Sequence, residues 1–409
     1  MTPVASEAKP QQPTENTASA REDSELSLLR NGSLLTLGAG HGMVDLCANT
    51  MPVFYPIIAT TLSLSYASIG ALSTVQTIFS SLSQPVFGWL ADRFGSRVIA
   101  PASVLLAAAA IASAGFIGSY YALLVMVATV GLASGAFHPQ GAKGAALLGG
   151  RWKTTALSLF MILGNLGFSF GPLLAAMVLV PAGMKSTAIL LVPGILVALS
   201  LLFATKKIDR ADMAKVAAGR MISSGVVSWS GVAAAVGIII SRFWVEYSMI
   251  AFVPLLFAAR GAPPELAGQI LFLIFSMGAI GTALGGWLAD RFGRRIVAVA
   301  SFMMLVPLVH FFLSATSWDA ALLAFLLGLT LGLTGTLPLV TIQEALPSRM
   351  GMASGIANSS GMIMGGLGVA MHGVIADSYG IETSLQFVIV IVLIGAAASL
   401  LLPNRARQM

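Results

Sequence analysis

The chain has 409 residues, of which 57% are hydrophobic and 9% charged, with a mean hydropathy of +0.89 and a formal charge of +6. Soluble domains carry about 25% charged residues, so a water-soluble fold is excluded, and no polar stretch between the apolar runs is long enough for a soluble enzyme domain. A single cysteine, Cys47, excludes a disulfide framework and a cysteine-based metal site.

Residues 1–29 are polar, rich in Ser, Thr, Glu and Pro, and lack the apolar core of a secretory signal; they read as a disordered cytosolic tail. A bilayer core roughly 30 Å thick takes about 20 helical residues. Twelve apolar runs of that order follow, spans 1 to 6 at 31–59, 66–90, 98–117, 119–142, 155–180 and 187–204, and spans 7 to 12 at 228–258, 265–288, 296–315, 319–342, 351–376 and 383–402. Run length and the missing two-residue alternation select helices over a barrel. Residues 205–227 are the longest polar interruption and predict a cytoplasmic linker between halves 30–204 and 228–403, with 404–409 a second cytosolic tail. With the N-terminus inside, 19 of the 22 Lys and Arg residues fall on the cytoplasmic side, the bias that orients membrane helices. Both termini are therefore expected in the cytoplasm. Short loops and the lack of organellar targeting suit a multi-pass protein of a bacterial cytoplasmic (inner) membrane.

Gly88-Trp89-Leu90-Ala91-Asp92-Arg93-Phe94-Gly95 recurs letter for letter at Gly286 to Gly293, an offset of 198 residues that also pairs Phe54-x-Pro56 with Phe252-x-Pro254 and Gly70 with Gly268. The chain is thus two copies of one unit. Six spans per copy make both copies face the same side, the parallel-repeat plan of secondary transporters with a site near the bilayer midplane.

The loop Gly88-x-Leu90-Ala91-Asp92-Arg93-x-Gly95-x-Arg97 and its twin ending Gly293-Arg294-Arg295 resemble the signature loop of the major facilitator superfamily. Within it, His41-x-x-x-Asp45 followed by Tyr55-Pro56, then Phe137-His138-Pro139, and Gly164-Asn165-x-Gly167 running to Gly171-Pro172, resemble the fosmidomycin-resistance branch of drug exporters. The resemblance implies an all-α polytopic membrane fold of twelve transmembrane helices in two pseudo-symmetric six-helix bundles, rocking around a cavity lined mainly by spans 1, 4, 7 and 10. The Gly-Pro-bearing span 5, with Gly164, Asn165, Gly167, Gly171 and Pro172, is similar to the motif of antiporters. One departure is that the basic residue many drug/proton antiporters carry in span 4 is absent, and His138 stands in that stretch.

His41, Asp45 and Asn49 are spaced by four and form one polar stripe on apolar span 1. An ionised carboxylate at mid-membrane costs about 2.5 to 3.5 kcal/mol on insertion scales, so Asp45 beside His41 is a candidate for proton or substrate binding, against a structural hydrogen bond between helices. Arg242 and Glu246 repeat the four-residue spacing in span 7, opposite it by the repeat offset; they read either as an inter-bundle network or as a fixed intrahelical pair. His138-Pro139 is expected to interrupt span 4 and present an imidazole to a binding site or vestibule. His310 and His372 have no acidic partner at helical spacing and predict packing or lipid-facing roles. Four histidines without shared close spacing predict no metal site, and no cofactor is expected. Asp92 with Arg93 and Arg97, and Asp290 with Arg291, Arg294 and Arg295, predict cytoplasmic latches that engage a facing helix N-terminus.

The expected function is proton-coupled export of a small molecule or drug, without catalysis. No phosphate-cradling Gly-x-x-x-x-Gly-Lys-Ser/Thr loop is present, so ATP is not the expected energy source. Uptake of a metabolite by symport or uniport is the alternative, and a non-transporting sensor or scaffold the reading from another class. The expected partners are a small-molecule substrate, protons and the lipid bilayer, with no nucleic acid, and a monomer as the working unit.

Overall fold

The computed structural model describes residues 25–94, 97–215, 229–316, 318–345 and 350–403. Backbone polar groups in lipid must be paired within their own segment, and each of the twelve apolar runs is accordingly helical. In the first half these are Gly32–Thr50 continuing through Met51–Phe54 into Tyr55–Thr61 (span 1), Tyr66–Phe94 (span 2), Ile99–Phe116 (span 3), Tyr120–Gly149 (span 4), Lys153–Leu174 with a π turn at Ala175–Leu179 (span 5), and Met184–Leu190 with Leu191–Lys215 (span 6). The second half has Trp229–Ala259 (span 7), Pro264–Phe292 (span 8), Arg294–Phe312 (span 9), Trp318–Gly332 with Leu337–Ala345 (span 10), Met350–Tyr379 (span 11), and Ile381–Gln386 with Val388–Leu400 (span 12).

Ten of these helices are long and apolar enough to cross a membrane by length and composition. Spans 1 and 2 fall outside that set because they carry His41, Asp45 and Asn49, and a Ser/Thr/Gln stripe, respectively. One expectation is corrected locally. Span 4 runs without a break through Pro139, because removing one N–H from a long packed helix bends it without ending it. Span 6 stays helical to Lys215, past the apolar run that ends near 204. The remaining linker residues 216–228 and most of the polar N-terminal tail lie outside the described residues.

The repeat reappears as packing. Span 1 contacts spans 4, 5 and 6, span 4 contacts spans 2 and 3, and span 3 contacts span 6. The same pairs shifted by six spans build the second bundle, with span 7 against 10, 11 and 12, span 10 against 8 and 9, and span 9 against 12. Between bundles the main seams join span 2 to span 11 and span 5 to span 8. Both seams close in the halves of these helices remote from the Asp92 and Asp290 loops, which we call the far end; the loops mark the basic end. At the far end the core is dense, with Phe54, Tyr55, Phe252 and Phe257 all at most 1% exposed.

Candidate functional site

Span 1 turns His41, Asp45 and Asn49 to one face, as the helical period requires, and span 5 receives that face with glycine. Gly164 lacks a side chain where the His41 ring lies, Gly167 meets the backbone of Gly42, and Gly171 meets that of Leu46. These span 5 glycines therefore form a close seam inside the first bundle. The His41 ring stacks on Phe160 with centroids 4.2 Å apart, and its Nδ1 donates to Phe160 O at 3.0 Å.

Span 4 brings a second imidazole to the same carboxylate. His41 Nε2 lies 3.2 Å from Asp45 Oδ2, and His138 Nε2 lies 3.4 Å from Asp45 Oδ1. His138 reaches back one turn, its Nδ1 donating to Ser134 O at 2.7 Å. Asn49 Nδ2 donates to Asp45 O at 3.1 Å. The side chains of His41, Asp45 and His138 are 2%, 12% and 30% exposed, so the cluster is sealed on the span 5 side and opens at His138. Their ligand-capable atoms all lie within 4.8 Å of one another, although nothing in the spacing of the histidines along the chain joins positions 41 and 138.

Asp45 and His138 face a cavity of about 340 Å³ whose other walls include Gln76 of span 2, Arg242 and Tyr247 of span 7, and Asn358 of span 11. Arg242 pairs within its own helix, Nη2 lying 3.1 Å from Glu246 Oε2, while its buried Nε has no hydrogen-bond partner among the described residues. Glu246 faces an adjoining cavity of about 70 Å³ shared with Arg242 and Asn165. Spans 1, 4 and 7 line the larger cavity as the resemblance implies, whereas span 10 contributes Gly328, Leu331 and Gly332 only to the smaller one.

Sequence reasoning passed over the span 2 wall. Ser73, Gln76, Thr77, Ser80 and Gln84 all line the cavity, and their three- and four-residue spacing is itself the signal of one polar helix face. Tyr55 Oη and Ser73 Oγ are 2.9 Å apart, and Gln76 Nε2 donates to Ala48 O at 3.0 Å, so span 2 is tied to span 1 along the cavity wall.

At the basic end, the Asp92 side chain and Gly95 lie outside the described residues. Gly88 sits against Pro139, Arg97 is exposed, and Arg93 lies 5.6 Å above the Trp89 ring, as Arg291 lies 5.9 Å above Trp287 in the second copy. Arg294 forks onto Glu344 at 2.8 and 2.6 Å, joining span 9 to span 10, while Arg295 is half-buried. Asp290 stands one turn before Gly293, whose φ of 91° requires glycine. His372 is fully buried, accepting from Trp244 Nε1 at 3.1 Å and contacting Ser384 Oγ at 3.1 Å, a packing role; His310 is exposed beside Phe311.

Comparison with known proteins agrees with this architecture. A family model for the Major Facilitator Superfamily matches residues 37–369. The chain is 27% identical over 382 residues to the fosmidomycin resistance protein of Escherichia coli (strain K12), covering 92% of this chain and 94% of that one. It is likewise 27% identical over 384 residues to the MFS-type transporter YfnC of Bacillus subtilis (strain 168), covering 90% and 92%. The inward-facing crystal structure of a bacterial homolog of the human lysosomal transporter Spinster superposes with a TM-score of 0.75 at 18% identity, covering 90% of this chain and 96% of that one. A two-bundle helical membrane fold, a repeat in register with it and a family match over most of the chain agree: this protein is a transporter, not an enzyme, and belongs to the major facilitator superfamily.

Proposed function

We propose that the protein exports a small molecule by alternating access in exchange for protons, in the cytoplasmic (inner) membrane of a bacterium with its basic end and both termini inside. The observation that carries this reading is one cavity walled by both halves, with ion-capable side chains on each wall and the far end closed behind it. A substrate entering from the basic end meets His138, Asp45 and Asn49 on one side and Arg242 on the other, with His41 and Glu246 behind them. Halves 30–204 and 228–403 then rock about this cavity, tethered by 205–227. The far seams part while Gly88, Asp92, Arg93, Gly95 and Arg97, with Asp290, Arg291, Arg294 and Arg295, latch the basic end. The Gly171-Pro172 pair resembles antiporters, and relatives are named for fosmidomycin resistance and, over 32% of this chain, for multidrug resistance in Enterobacter lignolyticus.

The test is reconstitution in liposomes holding a pH dye, with an imposed proton gradient and addition of phosphonates or cationic drugs. Protons moving opposite to substrate are the expected result. Movement in the same direction would replace export with symport, and substrate flux without protons would leave a uniporter. Glu246→Gln strands the Arg242 charge in the cavity wall; with the two side chains 23% and 14% exposed, the cost falls below the roughly 3–5 kcal/mol of a fully buried pair. Unchanged transport by that variant at normal protein levels would remove the pair from the mechanism.

A further inference from the structure

His41 and His138 both turn Nε2 toward the Asp45 carboxylate. The main-chain carbonyls of Phe160 and Ser134 stand 3.0 and 2.7 Å from the two Nδ1 atoms. A carbonyl only accepts, so each ring keeps its hydrogen on Nδ1 and, when neutral, turns a bare Nε2 lone pair toward a carboxylate oxygen. Two lone pairs aimed at one anion repel unless a cation lies among them.

The distances point to which cation. Charge-assisted N–H···O bonds run about 2.7–2.9 Å, shorter than the 3.2 and 3.4 Å between the imidazoles and Asp45. Donors around one tetrahedral ion, with bonds of about 2.0–2.2 Å, stand roughly 3.3–3.6 Å apart; each imidazole stands near that distance from its own oxygen of the Asp45 carboxylate, and the three ligand atoms lie within 4.8 Å of one another. We propose that His41, Asp45 and His138 form a three-ligand site for a divalent transition ion of the zinc class, with its open coordination position turned into the cavity. Paired imidazoles favour zinc, cobalt or nickel over magnesium or calcium. The carbonyl bonds to both Nδ1 atoms are the outer partners that fix tautomer and orientation in imidazole–metal sites. His41 is held further by its stack on Phe160 and by the space that Gly164 leaves. Three protein ligands with one open position are the arrangement that lets a bound ion meet a ligand from solution, here any oxygen or nitrogen donor entering the cavity.

The experiment is titration of tag-free, detergent-purified full-length protein with Co²⁺, read by the visible absorption of low-coordinate cobalt and by displacement with Zn²⁺. One cobalt per chain is expected, with affinity falling at least about tenfold in His138→Ala and in His41→Gln and unchanged in His310→Ala, whose histidine lies on the outside of span 9. Zn²⁺ should also raise the thermal unfolding temperature of wild type and His310→Ala but not of His138→Ala. Because His138 borders the cavity, its truncation leaves water in its place, and the unfolding transition without metal reports that the variant is folded. A folded wild type with no cobalt band, or a band equally strong in both ligand variants, overturns the site and leaves protons as the occupants of the Nε2 positions. The readout needs no transport, so failure of export in liposomes and failure of metal binding are separate results.

Discussion

The two inter-bundle seams close the same end of the molecule by different means. Along the span 2–span 11 seam the contact is polar. Asp377, near the end of span 11, accepts from the amides of Tyr66 at 2.7 Å and Ala67 at 3.0 Å, capping span 2 from the other half of the chain. Ser65 Oγ takes the next amide, of Ser68, so three of the N–H groups that a helix start leaves free have side-chain acceptors, and the regular ladder begins with Ile69 N donating to Ser65 O. Deeper, Thr74 Oγ1 lies 2.6 Å from Gly366 O. Along the span 5–span 8 seam the contact is apolar: Phe168 meets Phe275 and Phe170 meets Phe272 edge to face, at 4.7 and 5.1 Å, and Gly268 lies against Ala176 and Pro172 O. A polar seam trades its bonds for water when it parts. An aromatic seam exposes surface instead, so the two should respond differently to substitution.

The largest effect is expected from steric wedges, and it separates seams between bundles from seams within them. A Cβ on Gly268 would lie 2.7 Å from Pro172 O across the bundle boundary, whereas one on Gly167 would run into Gly42 inside the first bundle. Overpacking costs about 1–3 kcal/mol. Gly268→Val can relieve it by parting the far end, and should raise labelling of cysteines placed in that seam with little change in unfolding temperature. Gly167→Ala has no such release and should lower the unfolding temperature instead. Equal loss of stability in both would mean that the span 5–span 8 seam does not open.

An intermediate effect belongs to Asp377→Ala, which removes both acceptors from the start of span 2. The site is exposed and water replaces part of the loss, so about 1 kcal/mol, roughly a fivefold shift toward far-end opening, is expected. Spin-label distances across Tyr66 and Asp377 neighbours measure it, and high salt should bring wild type closer to the variant, since screening weakens exposed charge contacts. No shift would leave the cap as a local feature of span 2. The smallest effect is Thr74→Val. Its hydroxyl also lies 2.8 Å from Gly70 O within span 2, so losing the cross-seam bond should shift the same equilibrium by about 0.5 kcal/mol, the low end of a hydrogen bond's net contribution. A larger shift than that of Asp377→Ala would transfer the polar closure from the helix cap to the buried hydroxyl.

Much of the site was legible because it broke a local rule. Asp45 and Arg242 are charges in apolar runs, and the four-residue spacing of His41, Asp45 and Asn49 predicts the face they share. The span 2 stripe was equally regular but uncharged, and Ser, Thr and Gln at helical spacing stand out less against the apolar background. Pro139 illustrates the opposite case. Its missing N–H predicts an interruption, yet packing on both sides carries the helix to Gly149.

Span number, repeat register and the concentration of basic residues at one end follow from sequence alone, because hydropathy, identity and charge are summed along the chain. The glycines of span 5 also announced close helix approach, but only the fold decided that Gly164, Gly167 and Gly171 pack within a bundle while Gly268 packs between bundles. It likewise decided that His138 joins His41 at Asp45, that Arg242 stays with Glu246, and that Asp377 caps span 2. Local periodicity determines which face of a helix is polar. Which other helix meets that face is set by packing between segments far apart in the chain, a quantity that no window of sequence contains.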